Sequence, residues 1–178
     1  PLANGTMECV DINSMTSLWQ SESFGGQSLS TTFYHNGYLY AGTTNVLSNG
    51  TTTGLFYCLN AKDGSTVWTY EDKDHPGGYY WSGAIVYEDA LYFTGDNGIL
   101  VSHSLTESVV YDTAVLTTAN IRAGLTYHKE TDALYTVAKD GTLFQIQCGN
   151  QKITKVSSGK IMNGANFCLL YTSPSPRD

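Results

Sequence analysis

An internal repeat constrains this chain more than any other feature of its sequence. A glycine followed by a short apolar run recurs every 43 to 49 residues, at Gly5, Gly54, Gly98 and Gly141. Three further columns keep this period: a Leu-Tyr pair before the glycine, small residues followed by a tyrosine, and a large aromatic residue. Self-similarity at about 20 to 50 residues indicates an array of one supersecondary unit. The predicted fold is therefore a repeat architecture.

Each repeat is predicted to contain four short strands. In the third repeat the strand-forming runs are 82–87, 90–95, 99–104 and 108–115. Two or three turn residues separate the runs, and Asn97-Gly98 supplies residues that accept a positive φ. The segment 107–125 also allows a helix, but its β-branched pairs and its glycine favour strand and turn. Four antiparallel strands in about 40 to 45 residues make one blade of a β-propeller.

Two of the repeated columns have predicted packing roles. The small residues at 30–31, 83–84 and 123–124 are expected where the first strands of neighbouring blades crowd around the axis. The aromatic column is expected to pack across the gaps between blades, because a large ring buries much apolar area there. Its members are Trp19, Trp68 and Tyr111.

The segment 60–68 carries a specific resemblance. It reads Asn-Ala-Lys-Asp-Gly-Ser-Thr-Val-Trp and follows an apolar strand. This pattern resembles the repeat of the PQQ-like, or quinoprotein-type, β-propeller family, in which a strand ending in Asp or Asn precedes Ala-x-x-Gly-x-x-x-Trp. Residues 11–19 form a degenerate copy with Met15 in the glycine position, and Glu107 and Asn150 fall near it in later copies. The resemblance covers 5–160 and implies the fold, because the family is functionally mixed.

The predicted fold is all-β: a partial β-propeller of about three whole four-stranded blades and two partial ones. Residues 1–20 close one blade, and a fifth begins at 163–167. The whole blades are 28–70, 81–115 and 121–157. Propellers of the resembled family close with six to eight blades. We therefore expect 1–167 to be an open arc whose partners include the remaining blades of a longer parent chain.

The last eleven residues differ in composition from the rest. The run 168–178 reads Cys-Leu-Leu-Tyr-Thr-Ser-Pro-Ser-Pro-Arg-Asp. It is similar to the translation of a transposase-type sequencing adapter, and we expect it to be a non-native tail. Outside the tail the cysteines are Cys9, Cys58 and Cys148, without a CxxC or adjacent pair, which predicts buried structural thiols.

Composition excludes two classes of partner. The chain has 9 Lys and Arg against 16 Asp and Glu, a formal net charge of −7. A nucleic-acid partner is not expected, because no basic patch is present to neutralise phosphates. No run of about 18 apolar residues predicts a membrane span, and the first residues lack the pattern of a secretory signal peptide.

The segments that enter the inner strands contain the candidate ligand-binding residues. These segments are expected to line the mouth of the central channel. The candidates are Gln27, Tyr79, Tyr80, Trp81, Arg122 and Asn166. Aromatic rings and an arginine hold a planar or sugar-like ligand by stacking and hydrogen bonding. Ordinary packing of these aromatic residues is the alternative interpretation, and the sequence leaves it open.

No catalytic or metal site is predicted. No Ser/His/Asp arrangement can be assembled from the sequence. Asp72, Asp74 and His75 share one loop, and carboxylate oxygens suit calcium, but the ligand pattern of a calcium loop is incomplete. A solvated turn is the prediction there. The scattered histidines are expected at the surface or at sheet edges: His35, His103 and His128.

The predicted function is that of a non-catalytic binding or scaffold module, without a cofactor, in a secreted or cell-envelope bacterial protein. Its expected partner is a protein or a carbohydrate. The resemblance also implies one alternative, part of a PQQ-dependent dehydrogenase that would use PQQ and calcium. The adjacent-cysteine pair of those enzymes is absent from this sequence, and no clear carboxylate cluster lies near a predicted inner strand. A second alternative is an envelope assembly scaffold similar to the outer-membrane propeller lipoprotein of Gram-negative bacteria.

Overall fold

The fold is built entirely from antiparallel strands. The computed structural model describes residues 1–28, 30–79, 81 and 83–161, and each of its regular elements is a strand. The predicted all-β class is confirmed. Within 107–125, where a helix was the alternative, the structure has strand β12 (Val110–Val115). No helix that could span a membrane is found in the described ranges.

The strands form four sheets in chain order. Sheet 1 pairs β1 (Glu8–Asp11) with β2 (Thr16–Gln20). Sheet 2 contains β3 (Gln27–Ser28), β4 (Phe33–His35), β5 (Tyr38–Val46), β6 (Thr52–Thr53), β7 (Phe56–Asn60) and β8 (Thr66–Tyr70). Sheet 3 contains β9 (Ile85–Tyr87), β10 (Ala90–Thr94), β11 (Ile99–His103) and β12. Sheet 4 contains β13 (Thr126–His128), β14 (Ala133–Val137), β15 (Thr142–Gly149) and β16 (Lys152–Lys160).

The three larger sheets have the strand order of propeller blades. Sheets 3 and 4 are simple four-stranded meanders in which each strand pairs with its neighbour in sequence. Sheet 2 has the same order, with β3 and β4 both pairing with β5 on its inner side and β6 extending the hairpin tip. The predicted start of a fifth blade at 163–167 lies outside the described residues.

One tight turn recurs in every sheet. In sheet 3 the Gly98 N–H donates to the Gly95 carbonyl at 3.0 Å, and the Asn97 side chain accepts the Ile99 N–H at 3.1 Å. Gly98 has φ +73, a left-handed conformation that glycine adopts without steric cost. The corresponding glycines in the other sheets, with the same two bonds, are Gly5, Gly50 and Gly141.

Gly54 keeps its predicted column position but does not occupy the tight turn. It lies four residues before Cys58, the partner of Tyr40, just as Gly98 lies four residues before Ser102, the partner of Tyr92. The β5–β7 hairpin is longer than its counterparts, so the turn falls at 47–51 and Gly50, with φ +82, occupies its left-handed position. The signal was present in the sequence, because Asn or Asp precedes the turn glycine in all four sheets. Gly54 is required for another reason: a Cβ there would lie 2.0 Å from the Thr43 carbonyl oxygen.

The outer turn confirms the relation between segments 11–19 and 60–68. Gly64 has φ +74 in the turn between β7 and β8, and Met15 has φ +54 in the turn between β1 and β2. Met15 therefore adopts the glycine conformation without being glycine. Asn150, which the sequence placed near this position in the last repeat, also has a positive φ, +50.

The core lies between neighbouring sheets and is divided into three clusters. The first joins sheets 2 and 3, where the rings of Phe56 and Phe93 stack with centroids 3.9 Å apart. Ala90, Tyr92 and Leu100 of sheet 3 are packed with residues of sheet 4 in the second cluster, and Met7 packs with sheet 2 in the third. Each sheet is thus stabilised mainly by its neighbours, as in other repeat proteins.

The inner segments of neighbouring sheets come into van der Waals contact at small residues. A Cβ added to Gly83 would lie 4.0 Å from the Cα of Gly124 in the next sheet. In sheet 2 the Ser30 hydroxyl accepts the Gly42 N–H at 2.7 Å and lies 3.2 Å from the Gly42 carbonyl oxygen. The small side chains therefore serve packing and backbone hydrogen bonding on the inner side of the arc.

Candidate binding site at the channel mouth

Segments from three sheets converge at one end of the arc. The Asp96 N–H donates to the Gly78 carbonyl at 2.7 Å, and the Asn120 side chain donates to the Asp96 carbonyl at 2.8 Å. The Tyr79 N–H donates to the Thr43 carbonyl at 3.1 Å. We call this end the channel mouth and define it by the described residues 77–79, 81, 95–98 and 120–122. Most candidate site residues lie in these segments.

Arg122 is held by a carboxylate that the sequence analysis did not identify. Its Nε lies 3.2 Å from Asp96 Oδ1, and the Asp96 side chain is only 2% exposed. Burial raises the pKa of the Asp96 carboxyl, and the smaller, opposing effect of Arg122 lowers it. The pair fixes the guanidinium at the channel mouth. No local signal links the two residues, because they are 26 positions apart and Asp96 reads as an ordinary turn residue.

Tyr79 has the packing role that the sequence left open as an alternative. Its side chain is 2% exposed and belongs to the cluster between sheets 2 and 3. Phe56, Tyr70 and Phe93 meet its ring edge-on, with centroids 5.5, 6.4 and 5.8 Å away. Burial raises the pKa of the Tyr79 hydroxyl well above its ordinary value. A ligand at the channel mouth would therefore not reach this ring.

Trp81 has the exposure that a binding residue needs. Its side chain is 55% exposed, and its backbone has φ +61. The left-handed region is unfavourable for a bulky residue, and such outliers concentrate at functional sites. Both features distinguish Trp81 from Trp68, which is 3% exposed.

The remaining candidates are spread around the channel mouth. Gln27 is exposed on β3 and is paired in register with Thr44 of β5. Thr44 in turn lies close to Gly78, since a Cβ at Gly78 would be 2.5 Å from the Thr44 hydroxyl. Gln27 therefore borders the same end of the arc. Tyr80 and Asn166 lie outside the described residues.

The aromatic column contacts the next sheet along the chain. Trp19 Nε1 donates to the Ala61 carbonyl at 3.1 Å, and its ring covers Gly64 so closely that a Cβ there would lie 2.4 Å away. Trp68 Nε1 donates to the Leu105 carbonyl at 3.2 Å. Each indole therefore joins its own sheet to the outer turn of the following one.

Tyr111 reaches the following sheet in a different way. Its ring is partly buried against the cluster between sheets 3 and 4, and its carbonyl accepts a hydrogen bond from the Lys152 ammonium. The neighbouring Asp112 carboxylate accepts the Ile153 N–H at 2.9 Å. Tyr111 has no indole N–H to donate, and these two hydrogen bonds join sheets 3 and 4 instead.

The loop 71–78 has the hydrogen bonds of an Asx turn. The Asp72 carboxylate accepts the N–H groups of Asp74 and His75 at 3.1 and 2.8 Å. The Asn97 side chain donates to the His75 carbonyl at 2.7 Å and ties the loop to sheet 3. In the part of the chain that the structure describes, no three His, Cys, Asp or Glu residues are grouped as metal ligands would be.

The expectation that His103 lies at the surface or at an edge is wrong. It is 1% exposed and lies 4.0 Å from the Trp68 ring between their centroids. Its Nδ1 lies 2.8 Å from the Ser104 carbonyl oxygen, and burial lowers the pKa of the imidazole. The error arose because β11 is buried on both faces, between sheets 2 and 4, so no residue of this strand reaches solvent.

Comparison with known proteins gives a result for structure and not for sequence. No protein-family model matches the chain. No curated protein matches it either.

Solved structures share the fold. The computationally designed protein Ika8 superposes with a TM-score of 0.72 at 10% identity, over 96% of this chain and 48% of its own. BamB from Moraxella catarrhalis superposes with a TM-score of 0.66 at 14% identity, over 86% of this chain and 47% of its own. The designed protein Ika4 gives 0.62 at 13% identity, over 83% and 82%.

At these low sequence identities, the superpositions show a shared fold and nothing about function. The chain spans about half the length of Ika8 and of BamB. Its four sheets correspond to the blades of these propellers. The chain is therefore similar in fold to natural and designed β-propellers, with its described residues forming an arc of blades.

Proposed function

We propose that this propeller is a non-catalytic binding module that uses the channel mouth. Trp81 carries the proposal, because it is 55% exposed and strained at φ +61 on a rigid scaffold. Tryptophan side chains often contribute much of the binding free energy at protein interfaces, and their flat rings also stack on sugars. Arg122, anchored by Asp96, adds a fixed donor at the same end.

The proposed setting is a secreted or cell-envelope protein of a bacterium. Support comes from the fold that the chain shares with a bacterial propeller, BamB, and from the motif at 60–68. We further propose that the repeats belong to the PQQ-like family, supported by the correspondence of Gly64 with Met15 in the outer turn. An envelope assembly scaffold is the variant of this function in which the partner is another protein.

Binding selections on wild type and two variants test the proposal. A glycan array and a phage-displayed dodecapeptide library serve as the two pools. We expect binders from one pool that Trp81→Ala loses at least tenfold. Tyr34→Ala is the matched control, because Tyr34 is also an exposed aromatic residue, at 62%, but lies on β4 outside the channel mouth. Equal binding by both variants, or no binder from either pool, would refute the proposal.

The dehydrogenase alternative makes a different prediction. Among the described residues of the channel mouth, one arginine and one exposed indole could contact a planar quinone. These residues contain no group of carboxylates that could bind a cation. This donor set does not fit PQQ with calcium, and we derive no reaction step through them. A shift in visible absorbance on adding PQQ with Ca²⁺, together with dye-linked alcohol oxidation, would overturn the non-catalytic proposal.

A further inference from the structure

A second cluster lies at the other end of strand β10, away from the channel mouth. The hydroxyls of Tyr87 and Tyr127 both donate to Asp132 Oδ1, at 2.8 and 2.9 Å. The two rings are 5.2 Å apart between centroids and are tilted by 37°. Two aromatic rings from different sheets therefore converge on one carboxylate.

Strand register explains why these tyrosines meet. Tyr87 is paired with Ala90, the first residue of β10. Tyr127 is instead paired with Leu134, the second residue of β14, so the two tyrosines differ by one residue in register. Because side chains alternate between the faces of a strand, the one-residue difference turns the two tyrosines toward opposite faces. Tyr87 faces sheet 4 and Tyr127 faces sheet 3, so they meet between the sheets.

The cluster is accessible and its geometry is fixed. Tyr127 is 37% exposed, and Asp132 is exposed in the turn before β14. The hydrogen bond to Asp132 is the main cause that raises the pKa of Tyr87 to about 12, so the hydroxyl remains a donor at neutral pH. Among the described residues, no hydrogen bond to Asp132 Oδ2 is present, so this oxygen is available as an acceptor.

The charge around the cluster is negative. Glu88 and Asp89 lie in the turn that follows Tyr87, and Glu130 lies two residues before Asp132. Lys129 is the nearby cation in sequence, but no Lys, Arg or His nitrogen comes within 4.0 Å of the Asp132 carboxylate in the described parts of the chain. The carboxylate is therefore not neutralised by an ion pair there.

This combination fits a planar cation. The face of a tyrosine ring attracts cations, and the attraction is greater for the guanidinium because it can also stack. A guanidinium bonds a carboxylate in the plane of its N–H groups, and Asp132 is an exposed residue whose carboxylate is held beside two tyrosine rings. A neutral sugar would use the rings but would gain nothing from the negative surroundings.

We propose that Tyr87, Tyr127 and Asp132 form a binding site for a guanidinium group, presented by an arginine side chain of a protein partner. The site lies between sheets 3 and 4 at the end opposite the channel mouth. It goes beyond the proposed function, because it requires neither Trp81 nor a ligand at the channel mouth.

An NMR titration of the full chain with small probes tests the proposal. The probes are Nα-acetyl-arginine amide, its neutral isostere Nα-acetyl-citrulline amide, and Nα-acetyl-lysine amide. The readout is the ring resonances of Tyr87 and Tyr127, assigned with the single Phe variants. We expect saturable shifts with arginine, at least tenfold weaker binding of citrulline, and weaker binding of lysine. Equal binding of citrulline, or lysine binding as tight as arginine, would overturn the guanidinium assignment.

Two charge variants separate this site from general electrostatic attraction. Asp132→Asn removes the charge but keeps an oxygen for the tyrosine hydroxyls, and asparagine tolerates the positive φ of +46 at this position. Asp89→Asn is the matched control, because it removes an equal exposed charge from the adjacent turn. We expect arginine binding to weaken at least fivefold in the first variant and less than twofold in the second. Equal effects would refute the site.

One further variant distinguishes this proposal from the proposed function. Trp81→Ala should leave arginine binding unchanged, whereas it should weaken binding at the channel mouth at least tenfold. Loss of arginine binding in Trp81→Ala, with the amide spectrum otherwise intact, would contradict a separate site. The backbone amide spectrum of each variant reports whether the fold is retained.

Discussion

The recurring glycine turn permits a sharp test with two matched substitutions. Gly98 and Gly50 occupy the same position in the same turn, with φ +73 and +82. Their N–H groups make equivalent hydrogen bonds, to Gly95 at 3.0 Å and to Leu47 at 2.9 Å. They differ in surroundings: a Cβ on Gly98 would lie 2.0 Å from the Thr117 carbonyl oxygen, whereas one on Gly50 has nothing within 4 Å.

The expected cost of each alanine follows from these distances. Gly50→Ala should cost about 1–2 kcal/mol, the penalty of a side chain in the left-handed region. Gly98→Ala carries the same penalty and must also displace the Thr117 backbone, which adds about 1–3 kcal/mol as overpacking does. Displacement would weaken the hydrogen bond from the Leu116 N–H to the Gly98 carbonyl, now 3.0 Å, at a further cost of about 1 kcal/mol.

Urea and thermal unfolding of the two variants, followed by tryptophan fluorescence and circular dichroism, measure the difference. At about 2–4 °C per kcal/mol for a chain of this size, Gly98→Ala should melt on the order of 10 °C below Gly50→Ala. If Gly98→Ala does not fold, the measured melting of Gly50→Ala still gives the conformational penalty alone. Equal destabilisation by the two variants would refute the argument, because the clash with Thr117 would then have no energetic effect.

Three other substitutions or conditions have defined outcomes. Trp68→Phe should lower the free energy of unfolding by about 1–3 kcal/mol, because it removes the indole hydrogen bond to Leu105; urea denaturation measures this, and no change would contradict it. Met15→Gly should raise the free energy of unfolding by up to about 1 kcal/mol, since it relieves φ +54 at a 78% exposed side chain. A lower free energy of unfolding, measured by urea denaturation, would show that the turn does not need glycine. Burial lowers the pKa of His103 in the folded state, so the unfolded state binds more protons below about pH 6.5. The free energy of unfolding should therefore fall from pH 7 to pH 5. A melting temperature of the wild type that does not change over this range would contradict the lowered pKa of His103.

Much of the candidate site could be located from the sequence, but its side-chain roles could not. The repeat placed 77–81 and 120–122 at the entry of inner strands, and the structure brings Gly78 and Asn120 of these segments together with Asp96 in the turn at 95–98. Sequence could not separate Tyr79 from Trp81, two aromatic residues in one segment. Tertiary packing decides between them, because the ring of Tyr79 fills the gap between sheets 2 and 3 while Trp81 projects from a left-handed backbone.

The partners of the charged side chains could not be predicted from the sequence either. Arg122 was identified as a candidate, but its partner Asp96 belongs to another sheet. The same is true of Asp132, whose hydrogen bond from Tyr87 joins residues 45 positions apart. Such contacts depend on the rotation and separation of neighbouring sheets, which no local pattern encodes.

The sequence by itself determined the class of fold, because strand alternation, turn residues and the repeat period are local properties written into each unit. The glycine and Asn-Gly turns fix where each strand reverses, and even the Met15 exception could be read from the repeat. Only the tertiary structure decided which side chains meet. Each sheet has two faces, and the face that a residue occupies changes with a single step of register, as Tyr87 and Tyr127 show. Contacts between sheets, and with them both proposed sites, therefore exist only once the sheets have packed.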